Sequence, residues 1–157
     1  MITIIEDTRQ KSEHHEEKHV CLAQMDVNLL RCALPFGDYA FPPTISVDTK
    51  ENIEEIAANI TGDHVRFKNE CMKAKMAGCH LYILIETDTG IRSVEQMTAW
   101  VNPRARFSAK AVNGERLMKA MKTMQLRYGV TFMFCDPSES AGMILKILRG
   151  EFEHGND

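Results

Sequence analysis

The chain has no apolar run long enough to cross a membrane, no Cys-x-x-Cys pair, no P-loop and no internal repeat. Each absence removes a class of function. "MITIIEDTRQ" turns acidic after Ile5, so neither a spanning helix nor a secretion signal is expected. The cysteines, Cys21, Cys32, Cys71, Cys79 and Cys135, are odd in number and widely spaced. That argues against a disulfide framework or a zinc ribbon, and for reduced, mostly buried thiols in a cytoplasmic protein. Without G-x-x-x-x-G-K-[ST], no nucleotide cofactor is expected. No low-complexity stretch or linker marks a second domain. Residues 1–157 therefore read as a single domain, long enough to bury about two-thirds of its unfolded surface.

What is present is ordinary for a globular chain, 44% apolar and 26% charged. The net charge of −3 hides an asymmetry. Between Asn102 and Cys135 seven basic residues (Arg104, Arg106, Lys110, Arg116, Lys119, Lys122, Arg127) face Glu115 alone, a local +6 that leaves −9 on the rest. A basic stretch beside an acidic one fits a polyanion site next to a metal site, although a solvated helix face has the same composition.

Along the chain, "MITIIED" reads as a strand ending in acids, and residues 11–19 as a solvated loop or short helix. "MDVNLLRCAL" and the β-branched "TISVDTK" read as strands, with "LPFGDY" and "FPP" between them as turn and connection. Asn52 should cap a helix closed by Thr61-Gly62, and a longer helix should run from residue 63 to Gly78 with Phe67, Cys71 and Ala74 on one face. "HLYILIE" reads as a strand covered on both faces. A helix near "SVEQMTAW", a helix over "GERLMKAMKTMQLRY", the strand "GVTFMFC" and a last helix capped by Ser138 complete the order. The expectation is an α/β layered domain with a mixed central sheet.

Two acids stand out. Asp38 and Asp48 lie ten positions apart, each beside a strand-like run, and Lys50 follows the second by two. Mg²⁺ takes oxygen ligands, commonly one or two carboxylates with waters and substrate phosphate. A lysine on the same side of the strand as Asp48, by the period of two, is placed to orient a water or stabilise charge. Thr49 then points away and offers only its backbone carbonyl. A bare D-x-K also occurs as a surface ion pair of little worth.

The runs "EDTRQ", "FGDYAF", "SVDTKENIEEIAANI", "HVRFKNECMKAKMAGCHLYILIE" and "GERLMKAMKTMQLRYGVTFMFC" together resemble the XPF-type nuclease domain. That family belongs to the restriction-endonuclease-like superfamily with the PD-(D/E)xK site, a three-layer α/β domain whose mixed central sheet is flanked by helices. Its signature, D-x-R-E, then G-D, then E-R-K-x-x-x-D, then a strand ending in Glu, matches Asp7, Arg9, Gly37, Asp38, Asp48, Lys50, Glu54 and Glu86. Gln10 stands where the family has Glu, Asp48-Thr49 where it has Glu-Arg, and Glu54 where it has Asp. The likeness is strongest to the compact versions of bacteria and their phages, and no helix-hairpin-helix domain is expected.

The resemblance implies a Mg²⁺- or Mn²⁺-dependent DNA endonuclease acting on branched or flapped duplex in recombination, repair or phage DNA processing, as a homodimer. It implies that Asp38 and Asp48 ligate metal together with the Thr49 carbonyl, that Lys50 assists the attacking water, and that Asp7 and Arg9 complete the catalytic pocket. Glu54 and Glu86 would support them from behind. Alternatives are an inactive DNA-binding or dimerisation module, and a restriction-like nuclease of ordinary duplex.

Several residues have blander readings. Asp7 with Arg9 also fits a structural ion pair. Arg104 and Arg106, after Pro103 and before Phe107, are candidates for phosphate contacts, with Arg66 and Lys68 as further DNA-binding candidates or a solvated face. His14, His15 and His19 include a His-x-x-x-His spacing, but no acid partner is evident and a solvated loop is expected. Met118, Met121 and Met124 read as core or dimer packing, and the exposed surface of 138–149 as a candidate interface.

Overall fold

The computed structural model describes residues 1–10, 12–41 and 44–152. The Pro42-Pro43 connection and the His14 side chain, both singled out above, lie outside the described residues. The strands are β1 (Ile2–Asp7), β2 (Val27–Cys32), β3 (Tyr39–Phe41), β4 (Ile45–Lys50), β5 (His80–Glu86) and β6 (Thr131–Cys135). The helices are α1 (Ser12–Ala23), α2 (Ile53–Thr61), α3 (His64–Met76), α4 (Gly114–Tyr128) and α5 (Ser140–Leu148). One sheet runs in the order β2-β1-β3-β4-β5-β6. β3 is antiparallel to both its neighbours, while β1 with β2, β4 with β5 and β5 with β6 are parallel. This is the mixed, three-layer α/β sheet expected.

Period two divides the core. Leu81, Ile83 and Ile85 of β5 pack with Ile53, Ile56, Phe67, Cys71 and Leu117 from α2, α3 and α4. Tyr82 and Leu84 pack on the other side with Ile45, Val47, Leu22 and the α5 residues Ile144 and Ile147. An apolar run with every second residue facing a different layer needs helices on both faces, and it has them. Met121 and Met124 are buried in the first core and Met118 packs against it, so these methionines are core. Asn52 caps α2 by accepting from the Glu55 N–H at 2.8 Å, and Gly62 closes it.

Four expectations change. Within residues 11–19 the short-helix reading holds from Ser12 onward, but the helix is not solvated all round: α1 lays His15, Lys18 and Leu22 against the sheet. Its buried face is mostly polar because it meets the carboxylates of Glu6 and Glu86, so hydropathy alone conceals it. The segment at Glu95–Ala99 is a short 3₁₀ turn, not a full helix. Asp136, not Ser138, does the capping before α5, accepting from the Ser138 N–H at 3.1 Å and hydroxyl at 2.9 Å. Only Cys71 and Cys135 are buried among the five free thiols. Burial pushes each of these two up to about 12, so neither is a thiolate nucleophile near neutral pH.

α5 has little left for a partner. Ser140, Ala141, Ile144, Leu145, Ile147 and Leu148 are buried in the chain's own core, Gly142 and Met143 are half-buried, and Lys146 is its only exposed residue. No helix of the described residues is long and apolar enough to cross a membrane.

Gly114, the first residue of α4, supplies a prediction about packing. A Cβ there would stand 2.1 Å from the Met97 carbonyl oxygen and 2.9 Å from that of Trp100, both backbone atoms. Gly114→Ala is expected to cost about 1–3 kcal/mol in a urea titration, as overpacking typically does. An unchanged midpoint would show that the 95–100 turn yields freely.

Candidate active site

The site is built at one end of the sheet, where β1, β4 and β5 end and β3 begins. Gly37 makes the approach, at φ +72°, a conformation that L side chains rarely adopt. A Cβ on it would fall 2.2 Å from Ser46 Oγ, so the turn is closed to any larger residue. From that turn the Asp38 N–H donates to the Val47 carbonyl at 2.7 Å, and the Asp38 carbonyl accepts from Asp7 N–H at 2.8 Å. Asp38 is thereby held between β4 and β1, and Asp38 and Asp48 meet as the strand order required.

Asp48 and Lys50 share a face. Their register partners Ile83 and Ile85 belong to the core under α2, α3 and α4. Lys50 Nζ lies 2.8 Å from Asp48 Oδ2, with side chains only 9% and 7% exposed, and 5.3 Å from the centre of the Phe67 ring. Burial pushes the Asp48 carboxyl well above the usual carboxylate range. Lys50 pulls it down, and the charges of Asp38 and Glu70 add to the rise. Lys50 shows the opposite balance. Burial lowers it, but Asp48 and the nearby Glu55 and Glu70 outweigh that, so the ammonium is favoured.

Thr49 does more than offer a carbonyl. Its N–H at 2.7 Å and its hydroxyl at 2.8 Å both donate to Asp38 Oδ2. The residue between the acid and the lysine thus fixes the first carboxylate. Asp7, buried, accepts from Arg9 Nε at 2.7 Å on one oxygen and from the Leu34 N–H at 3.0 Å on the other. Arg9 also donates to the Leu34 carbonyl. The pair brackets the chain before the Gly37 turn, and the Arg9 side chain remains 66% exposed at the mouth.

These residues line one cleft of about 870 Å³. Arg66 is among its walls, but Lys68 is not: it borders a smaller hollow between α3 and α4. Glu54 points away as an exposed residue of α2. Glu55, one position on, lines the cleft and accepts from the Glu51 N–H. Glu86 faces the opposite layer, where it pairs with Lys18 at 3.0 Å in a buried bridge. Arg104 and Arg106 stand exposed on the 3₁₀ turn Pro103–Arg106, outside the cleft lining, beside a Phe107 that is 91% exposed.

Sequence reasoning missed Glu70, Lys73 and His15, all of which line the cleft. Arg66, Glu70 and Lys73 follow the spacing of four and three that defines one side of a helix, a legible signal beside the apolar stripe. His19 has an acid partner after all, a close contact with buried Glu6, which also meets Arg31 Nε at 3.0 Å. His15 Nδ1 is buried without a hydrogen-bond partner. Among the described residues no group of three or more His, Cys, Asp or Glu side chains is placed to hold a metal ion. A cation at Asp38 and Asp48 would therefore complete its shell with water and phosphate, the mode usual for Mg²⁺.

The fold has known relatives. XPF from Aeropyrum pernix is similar in structure, with a TM-score of 0.69 at 21% identity, over 97% of this chain and 66% of that one. XPF from Aeropyrum pernix in complex with DNA gives 0.67 at 22% identity, over 99% and 68%. The likeness at such identities is one of fold, and the chain spans about two-thirds of the length of those solved chains. No curated protein matches. The ERCC4 domain model matches residues 6–147, nearly the whole chain, with Asp7, Asp38, Asp48 and Lys50 inside the match. The chain belongs to the ERCC4 domain family of XPF-type nucleases.

Proposed function

We propose that the chain is a divalent-metal-dependent DNA endonuclease that cuts branched or flapped duplex in this cleft, working as a homodimer in repair, recombination or phage DNA processing. The observation that carries the reading is the convergence of Asp38, Asp48 and Lys50 on one cleft, with Lys50 Nζ 2.8 Å from Asp48.

The donor set fits a hard cation. Two carboxylates, Asp38 and Asp48, come together on the cleft beside the Lys50 ammonium, and burial, with the charge of Asp38 adding to it, raises Asp48. Mg²⁺ or Mn²⁺ would be held by Asp38 and Asp48, with the Thr49 carbonyl as a further oxygen. When bound, the ion neutralises charge developing on the scissile phosphate and makes water nucleophilic near neutral pH.

The chain's own groups do the rest. Thr49 keeps Asp38 Oδ2 occupied by two hydrogen bonds, so this carboxylate enters the reaction with a fixed orientation. Lys50, locked over Phe67, keeps its proton and donates it as a hydrogen bond to the attacking water or to a phosphate oxygen. Arg9, Arg66 and Lys73 offer cations at the cleft for neighbouring phosphates. Arg104 and Arg106 belong to the segment that leaves the C-terminal end of β5, at the same end of the sheet, and extend the phosphate track.

The test is cleavage of labelled linear duplex, 3′ flap, fork and four-way junction with Mg²⁺, Mn²⁺ or EDTA. Cutting of flap or fork at least about 10-fold faster than linear duplex, abolished by EDTA, is the expected result. Equal cutting of linear duplex makes the enzyme restriction-like. Binding without cutting under either metal makes it a binding module.

A further inference from the structure

Glu70 is an acid in the wrong company. It sits on α3 between Arg66 and Lys73, on a wall proposed to meet DNA phosphates, where a carboxylate repels the ligand its neighbours attract. Its observed partner explains its place: Glu70 Oε1 accepts from the Gly37 N–H at 2.9 Å.

Three neighbouring polar groups of that turn are fixed from within the sheet. Ser46 Oγ donates to the Phe36 carbonyl at 3.3 Å, the Asp38 N–H is held by Val47, and the Asp38 carbonyl by Asp7. The Gly37 N–H, by contrast, is held from a helix. Gly37 is also the residue whose left-handed backbone delivers Asp38, and an amide left without an acceptor in a buried turn favours a different rotation of the peptide.

We infer that Glu70 is a positioning residue for Asp38: by accepting from the Gly37 N–H it fixes the turn that aims the Asp38 carboxylate, and it ties that aim to the helix carrying Arg66 and Lys73. The inference rests on the nuclease reading for its kinetic consequence, but not for the contact itself. The role asks for an acceptor oxygen, not a charge. Glutamine at 70 should serve and alanine should not.

The experiment compares the full chain with Glu70→Gln and Glu70→Ala. Gly37 amide exchange is followed by NMR, alongside the β4 and β5 amides as a control for folding. Gly37 should exchange at least about 10-fold faster in the alanine variant only, with the strand amides unchanged, as for local opening. In cleavage assays kcat should fall about 100-fold for Glu70→Ala, the sensitivity expected of a small misplacement of a reacting group. KM for DNA should stay within about 2-fold, and Glu70→Gln within about 3-fold in kcat, because it restores the acceptor.

Glu70→Gln as inactive as Glu70→Ala would overturn the inference, since the charge itself would then be needed. Unchanged Gly37 exchange in Glu70→Ala would overturn it as well. If the wild type cuts no DNA under any metal, the nuclease reading fails, and the exchange data still decide whether Glu70 holds the turn.

Discussion

Asp48→Asn is expected to lose at least about 1000-fold of metal-dependent cleavage while still binding DNA, because it removes one of two carboxylates from the cation's protein shell. The isosteric amide keeps the shape of β4 and carries no charge. The residues proposed to grip phosphate, Arg9, Arg66 and Lys73 at the cleft and Arg104 and Arg106 beyond it, are untouched. Mn²⁺ titrated calorimetrically into the wild type should show binding that the variant lacks. The proton competes for the same oxygens. Since burial raises the Asp48 carboxyl above its ordinary value of 3.8, a cation must displace a proton at acid pH. Metal affinity and cleavage of the wild type should therefore both climb as pH rises through that elevated value, then level off. Wild-type rates in Asp48→Asn would remove Asp48 from the chemistry. Loss of DNA binding together with cleavage would mean that the substitution had disturbed the cleft itself.

The layers of the fold were legible because period and punctuation agree. "HLYILIE" could be covered only from both sides, and Asn52 and Gly62 bracket α2 where the sequence places them. Asp38, Asp48 and Lys50 were legible because strand alternation puts the acid and the lysine of β4 on one face and the Gly37 turn brings Asp38 alongside. What stayed hidden depends on contacts between distant segments. α1 turns Lys18 and His19 to Glu86 and Glu6 of the sheet, and no window of residues 11–19 contains those partners. Thr49 looked idle because alternation turns it from the metal, yet Asp38 at the strand edge receives both its N–H and its hydroxyl. Glu54 and Glu55 differ by one helical step, about 100°, and that step decides which reaches the cleft.

Lys50→Met should separate the site's chemistry from its electrostatics in the folded state. The side chain is nearly as long, so the packing over Phe67 is largely kept, but Asp48 loses its cation while remaining buried. Breaking a buried pair from one side typically costs about 3–5 kcal/mol, and that loss is expected in guanidinium unfolding at pH 8. The pH dependence follows from the direction of the Asp48 shift. In the folded chain the acid holds its proton to higher pH than the unfolded value of 3.8. A penalty for ionising it is therefore absent at low pH and grows as pH rises through the folded value. Removing Lys50 raises that folded value further and enlarges the penalty at its upper end. Lys50 itself, raised above 10.5 in the folded chain, contributes stability at every pH below that value, which the variant also lacks. The destabilisation should be larger at pH 8 than at pH 5, because Asp48, raised further in the variant, takes up its proton as pH falls. Adding Asp48→Asn should restore most of the stability at pH 8, because no buried charge is then left alone. A loss of equal size at both pH values, unrelieved in the double variant, would assign the cost to the packing of the lysine stem on Phe67 and not to the buried charge.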